Sequence, residues 1–123
     1  MDLMELCPPW AAPGRFSTLQ EYGQTRRDAM ALVFEWDTKK ARSNLAKHGI
    51  SFDEASTAFG DPLSIAIGDP LHSEREDRYV LIGCSFANTL LVVVHTERGG
   101  RIRIISARPA TRRERLRYEE VEP

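Results

Sequence analysis

The sequence predicts an α+β fold in which a small antiparallel β-sheet packs with helices. Three observations carry this. Residues 63–108 read as apolar strands separated by tight turns, Leu32 to Gly49 as a strand running into a helix, and Ser51–Glu54 and Thr111–Glu114 as capping boxes. At 123 residues the chain can build one core and is too short for two.

The first segment is different. Pro8, Pro9, Pro13 and Gly14 break it early, and neither a period of two nor one of 3.6 is sustained before Leu32. Residues 1–31 are therefore expected to be a loosely ordered extension of a domain spanning 32–123. The alternative is an amphipathic helix around Leu19 to Met30, and Met30 is itself a second candidate start.

From Leu32 each element has a local reason. LVFEWD is a short apolar strand. Asp37 or Thr38 is an N-cap, and the helix it opens runs to His48 and stops at Gly49, suited to a left-handed C′ position. Ser51 and Glu54 open a second helix, whose Phe52, Ala55 and Phe59 fall on one face and which Asp61-Pro62 ends. LSIAI, RYVLIGCSF, TLLVVVHTE and RIRIISAR then form a four-strand meander, because links as short as Ala87-Asn88 and Arg98-Gly99-Gly100 demand antiparallel neighbours. After Pro109, an arginine-rich helix runs to about Glu120. The helices are expected on one sheet face. The last, with only Leu116, Tyr118 and Val121 to bury, is expected to gain little from the core.

Charge is polarised. The chain has 17 Lys and Arg against 18 Asp and Glu, a net charge of −1 that would argue against a nucleic-acid partner. Yet Arg98 to Arg117 holds eight arginines and one acid, whereas Glu35 to Asp77 holds nine acids and five bases. Arginine matches phosphate bidentately and stacks on bases, so a local cationic face outweighs a neutral total. In the last strand Arg101 and Arg103 point to one side and Ile102 and Ile104 to the other.

Candidate chemistry centres on His95. Alternation puts Leu91, Val93, His95 and Glu97 on one face of their strand, and a histidine can exchange a proton near neutrality. A histidine bonded at a sheet rim is an equally good account. His95-Thr-Glu97 matches half of the zinc deaminase signature, but the P-C-x-x-C half is absent. No P-loop, dinucleotide-binding or H-E-x-x-H motif occurs. His72, Glu74, Glu76 and Asp77 read as an acidic loop rather than a metal cluster, so no metal or other cofactor is expected. Lys47 and His48 suit the negative end of their helix. Cys7 and Cys84 are read as reduced thiols without a disulfide. With no apolar run near the roughly 20 residues of a membrane span and no signal-peptide pattern, a cytoplasmic protein is expected.

Several blocks together resemble a known family: Phe34-Glu-Trp-Asp37, Asn44-Leu-Ala-Lys-His-Gly49, Ser51-Phe-Asp-Glu-Ala55, Phe59-Gly-Asp-Pro62, Glu76-Asp-Arg78, Ile82-Gly83, His95-Thr-Glu-Arg98, Ile102-Arg-Ile-Ile-Ser-Ala-Arg108 and Glu114-Arg-x-x-Tyr118. In order and spacing, from Val33 to Glu120, they are similar to the BrnT toxins of bacterial type II toxin–antitoxin systems. The resemblance implies a RelE-like fold and an RNA-cleaving activity that arrests translation and growth. It also implies a BrnA-like ribbon-helix-helix antitoxin that binds the toxin in a hetero-oligomer, with operator DNA contacted only through that antitoxin. On this view His95 is the expected acid or base and Glu97 orients it. Arg78, Arg103 and Arg108 hold the scissile phosphate, and Tyr118 stacks on a base or assists proton transfer. Lys47, His48, Arg101, Arg112 and Arg113 complete the expected RNA surface. The alternative is a non-catalytic RNA- or antitoxin-binding module.

Overall fold

The structure is a computed structural model that describes residues 6–8, 32–68 and 78–120. The elements are β1 (Val33–Glu35), α1 (Thr38–His48), α2 (Phe52–Thr57), a 3-10 turn (Ala58–Gly60), β2 (Ile65–Gly68), β3 (Arg78–Cys84), β4 (Leu90–Arg98), β5 (Arg101–Pro109) and α3 (Arg112–Glu120). They form an α+β domain around one five-stranded sheet of order β1-β5-β4-β3-β2.

The caps follow the local chemistry. Asp37 accepts from Lys39 N–H at 2.8 Å and Gly49 adopts φ 74°, so α1 begins and ends where the sequence predicts. Ser51 accepts from Glu54 N–H at 3.0 Å, but the Glu54 carboxylate accepts from Ser85 Oγ at 2.7 Å, tying α2 to the β3–β4 turn. At α3 both halves of the box form: Glu114 N–H donates to Thr111 Oγ1 and Thr111 N–H to Glu114 Oε1.

Strands β2 to β5 pair antiparallel with their neighbours in the chain, whereas β1 lies parallel to β5. The sheet is thus mixed rather than antiparallel throughout. Short turns dictate direction only from β3 to β5; β1 meets its partner from far along the chain, where no local rule applies. Beyond Glu35, β1 no longer covers β5, and Asn44 of α1 takes its place. Its side chain donates to Ala107 C=O at 2.8 Å and to Ile50 C=O at 2.9 Å and accepts from Ala107 N–H at 3.0 Å. Just before this point the β4–β5 register shifts from Val94↔Ser106 to His95↔Ile104, leaving Ile105 as the extra residue of a bulge.

The sheet has two apolar faces. Ile50, Phe52 and Ala55 pack on Leu81, Leu91, Val93, Ile104 and Ala107 on one face. On the other, Tyr118 of α3 packs with Ile82, Cys84, Leu90 and Val92. The helices therefore do not share one face, and α3 is not idle. Tyr118 is fully buried and donates to Asp61 Oδ2 at 2.6 Å, and burial of such a ring is worth about 2–3 kcal/mol. One large side chain anchors a helix whose average composition is polar. Asp61 also accepts from Cys84 N–H and Leu63 N–H, both at 2.9 Å, so the residue expected only to stop α2 is a hub.

The cysteine reading is corrected as well. Cys7 and Cys84 form a disulfide, with Cα atoms 5.9 Å apart across 77 residues. Residues 6–8, part of the expected extension, lie along the β3–β4 turn. Leu6 bridges Thr89, Cys7 N–H donates to Asn88 C=O, and Arg115 of α3 donates to Leu6 C=O. Separation in sequence says nothing about this pairing, which depends on where β3 ends. The remainder of 1–31, and the segment with His72, Glu74, Glu76 and Asp77, lie outside the described residues. No described helix is long and apolar enough to cross a membrane.

Candidate nucleic-acid interface

The register builds a cationic row across four strands: Arg78 of β3 lies opposite Thr96 of β4, Thr96 opposite Arg103 of β5, and Arg103 opposite Glu35 of β1. Residues directly opposite share a face, so these side chains rise on one side, as do the next pair, Arg98 and Arg101. Ile102 and Ile104 point to the other side and are buried, as the alternation predicts. Strands are about 4.8 Å apart, which places the Arg78 and Arg103 backbones roughly 10 Å apart, within reach of a common anion for two such long side chains. Between them Thr96 is 1% exposed.

The arginines have different commitments. Arg101 and Arg103 approach the Glu35 carboxylate at 3.5 and 3.4 Å. Arg108 lies on the same face opposite Val92, four residues along β4 from Thr96 and so roughly 13 Å from the row. Its fork is occupied, donating to both Glu114 oxygens at 2.8 and 2.7 Å. The guanidinium, with Thr111 N–H assisting, lowers the Glu114 carboxyl to about 2, and Glu114 in turn raises Arg108. Arg108 is thereby engaged in holding the start of α3. Arg115 pairs with Glu119 at 3.0 Å. Arg112, Arg113 and Arg117 are exposed and enter no ion pair among the described residues. Lys47 is exposed and His48 half-buried at the end of α1, which covers the opposite face.

His95 lies on that opposite face. It is 3% exposed, pairs in register with Tyr79 and Ile104, meets the Phe59 ring edge-on at 4.8 Å and stacks on Tyr79 at 5.8 Å. Burial lowers its pKa, partly opposed by the Val93 carbonyl 3.3 Å from Nδ1 and by the charge of Glu97. Glu97 is exposed on the same face. The structure therefore divides the expected catalytic set. His95 and Glu97 stand on the side covered by α1 and α2; Arg78, Arg103, Arg108 and Tyr118 belong to the side on which α3 packs. Tyr118 is enclosed, so neither face of its ring is presented to a base. Alternation shows which residues of one strand share a face, but which strand faces combine depends on register. Glu35 and Asp61 were missed for the same reason: in sequence each is an unremarkable acid, and only pairing brings arginines or a tyrosine to it. Among the described residues no three His, Cys, Asp or Glu side chains group as metal ligands.

A crystal structure of the Brucella abortus ribonuclease toxin BrnT is similar, with a TM-score of 0.49 and 24% identity, covering 66% of this chain and 99% of that one. No curated protein matches. The family model described as "Ribonuclease toxin, BrnT, of type II toxin-antitoxin system" matches residues 36–114. That span is more than half of the chain and includes α1, α2 and strands β2 to β5 with all the arginines of the row, and it places this protein in the BrnT family of ribonuclease toxins of type II toxin–antitoxin systems.

Proposed function

We propose that this protein is a RelE-type endoribonuclease that cleaves RNA at the arginine face, arrests translation and growth in the cytoplasm, and is neutralised by a BrnA-like ribbon-helix-helix antitoxin. The observation that carries the reading is the row Arg78–Thr96–Arg103 on one side of the sheet in a member of a ribonuclease toxin family. In the proposed reaction the ribose 2′-oxygen bonds to the adjacent phosphorus as the bond to the 5′-oxygen breaks. The 2′ proton passes to an acceptor and the departing 5′-oxygen gains one, leaving a cyclic phosphate and a 5′-hydroxyl. Charge builds on the pentavalent phosphorus, and two fixed guanidiniums stabilise it electrostatically without a metal; one such contact commonly accounts for ~10²-fold or more in rate. Arg98 and Arg101 extend the surface toward the β4–β5 turn, and Arg112 and Arg113 add exposed cations at the start of α3.

A second assignment of the chemistry has its own support. Burial keeps His95 neutral near pH 7, the form a general base requires, with Glu97 beside it. The two are separated by variants expressed without antitoxin. Folded Arg78→Ala and Arg103→Ala proteins are expected to lose growth arrest and RNA cleavage, each by ~10²-fold or more. His95→Gln is expected to keep cleavage. A folded His95→Gln protein that binds RNA but does not cut it would move the chemistry to the face covered by α1 and α2. Binding by the unaltered protein with no cleavage products would make it the non-catalytic module.

A further inference from the structure

Two cations of the arginine face close on an anion supplied by the chain itself. Glu35 ends β1 directly opposite Arg103, and its oxygens take different partners, Arg101 Nη1 at 3.5 Å and Arg103 Nη1 at 3.4 Å. A planar pair of oxygens thus sits between two guanidiniums, as the non-bridging oxygens of a phosphodiester would. The contacts are long beside the 2.7–2.8 Å of Arg108 to Glu114. They are also wet, with side-chain exposures of 63% for Arg101, 32% for Arg103 and 28% for Glu35. An ion pair of this kind is worth about 0.2–1 kcal/mol, so a phosphate displaces it at small cost. With two cations and one carboxylate, the group keeps a positive charge that attracts the incoming anion.

We infer that Glu35 is a built-in phosphate surrogate, which holds Arg101 and Arg103 in receiving geometry and gives way when an RNA phosphate enters. This rests on the arginine face being the RNA interface. Glu35 is a positioning residue: it touches the arginines and not the substrate.

The test uses the full chain and a 2′-O-methyl single-stranded RNA, which binds but lacks the attacking hydroxyl, titrated by fluorescence anisotropy over a salt series. Glu35→Gln is expected to tighten binding ~1.5–5-fold, the displaced ion pair converted to affinity, and to steepen the log–log salt slope by about 0.7, because one carboxylate no longer offsets a cation facing the single strand. The control Asp53→Asn makes the same charge change at an exposed site on α2, across the sheet, and is expected to alter neither. Arg103→Ala in the Glu35→Gln background is expected to abolish the gain. Glu35→Thr, which suits a strand, repeats the test should the amide disturb β1. Unchanged or weaker binding by both Glu35 variants, or equal tightening by Asp53→Asn, overturns the inference while the interface reading stands. Absence of RNA binding by every form, the unaltered protein included, overturns the interface reading and the inference with it.

Discussion

His95 shows how much a residue's meaning depends on its surroundings. Its neighbours along β4 suggest a group presented at a strand end for proton transfer, but Phe59 and Tyr79 close over it from the 3-10 turn and from β3. Its folded pKa lies below its ordinary 6.5 because burial disfavours the charged ring. A lowered histidine pKa means that the unfolded chain binds the proton first on acidification. Its contribution is therefore fully present above pH 6.5 and is lost as pH falls from 6.5 through the folded pKa. Nuclear magnetic resonance titration should show a His95 midpoint below that of an exposed histidine, and His95→Gln should flatten this part of the stability–pH curve. A midpoint at or above 6.5 would contradict the buried placement. The carboxyl of Glu114 behaves analogously at a lower range: held down to about 2 by Arg108, it stabilises above about 4.5 and the benefit fades as pH falls toward 2.

Among the elements, α1 and α3 separate what local sequence can and cannot specify. The bounds of α1 were legible to within one residue at its start and to the residue at its end, because Asp37 and Gly49 act on adjacent backbone. Its second function was not: Asn44 extends the β5 ladder past the end of β1, satisfying Ala107 N–H and C=O 63 residues away. Removing that amide leaves a buried donor and acceptor without partners. Asn44→Ala should therefore cost about 2–4 kcal/mol in urea unfolding, while the exposed Ser43→Ala on the same helix should change stability by less than about 0.5 kcal/mol. In α3 the capping box was legible from Thr111 and Glu114, yet a count of apolar residues misjudged the helix. Its one large buried side chain, Tyr118, docks against the carboxylate of Asp61, a partner 57 residues distant.

At the scale of the molecule, the disulfide closes a loop of most of the chain. It joins the segment at Cys7 to the end of β3, beside the α3 anchor, with Cys84 Sγ 3.6 Å from the Tyr118 hydroxyl. A crosslink over so long a loop typically contributes about 2–4 kcal/mol by restricting the unfolded chain. Unfolding in urea with and without dithiothreitol should show a loss of that order on reduction. Cys7→Ser should unfold like the reduced protein and respond no further to reductant; a reductant-insensitive midpoint in the unaltered protein would show that the bond does not form in solution.

The charge polarity is a property of this same scale. Helix limits, strand alternation, the α+β class and the concentration of arginine between residues 98 and 117 all follow from neighbours in the chain, because caps, turns and side-chain periodicity act over a few residues. The family was legible in the same way, since its blocks keep their order and spacing whatever their contacts. Tertiary structure alone decided which sheet face each helix covers, the parallel placement of β1, the Cys7–Cys84 bond, and the division of His95 from Arg78 and Arg103. Each of these depends on pairing between distant segments, where a shift of register by one residue would exchange the two faces and no local preference selects between them.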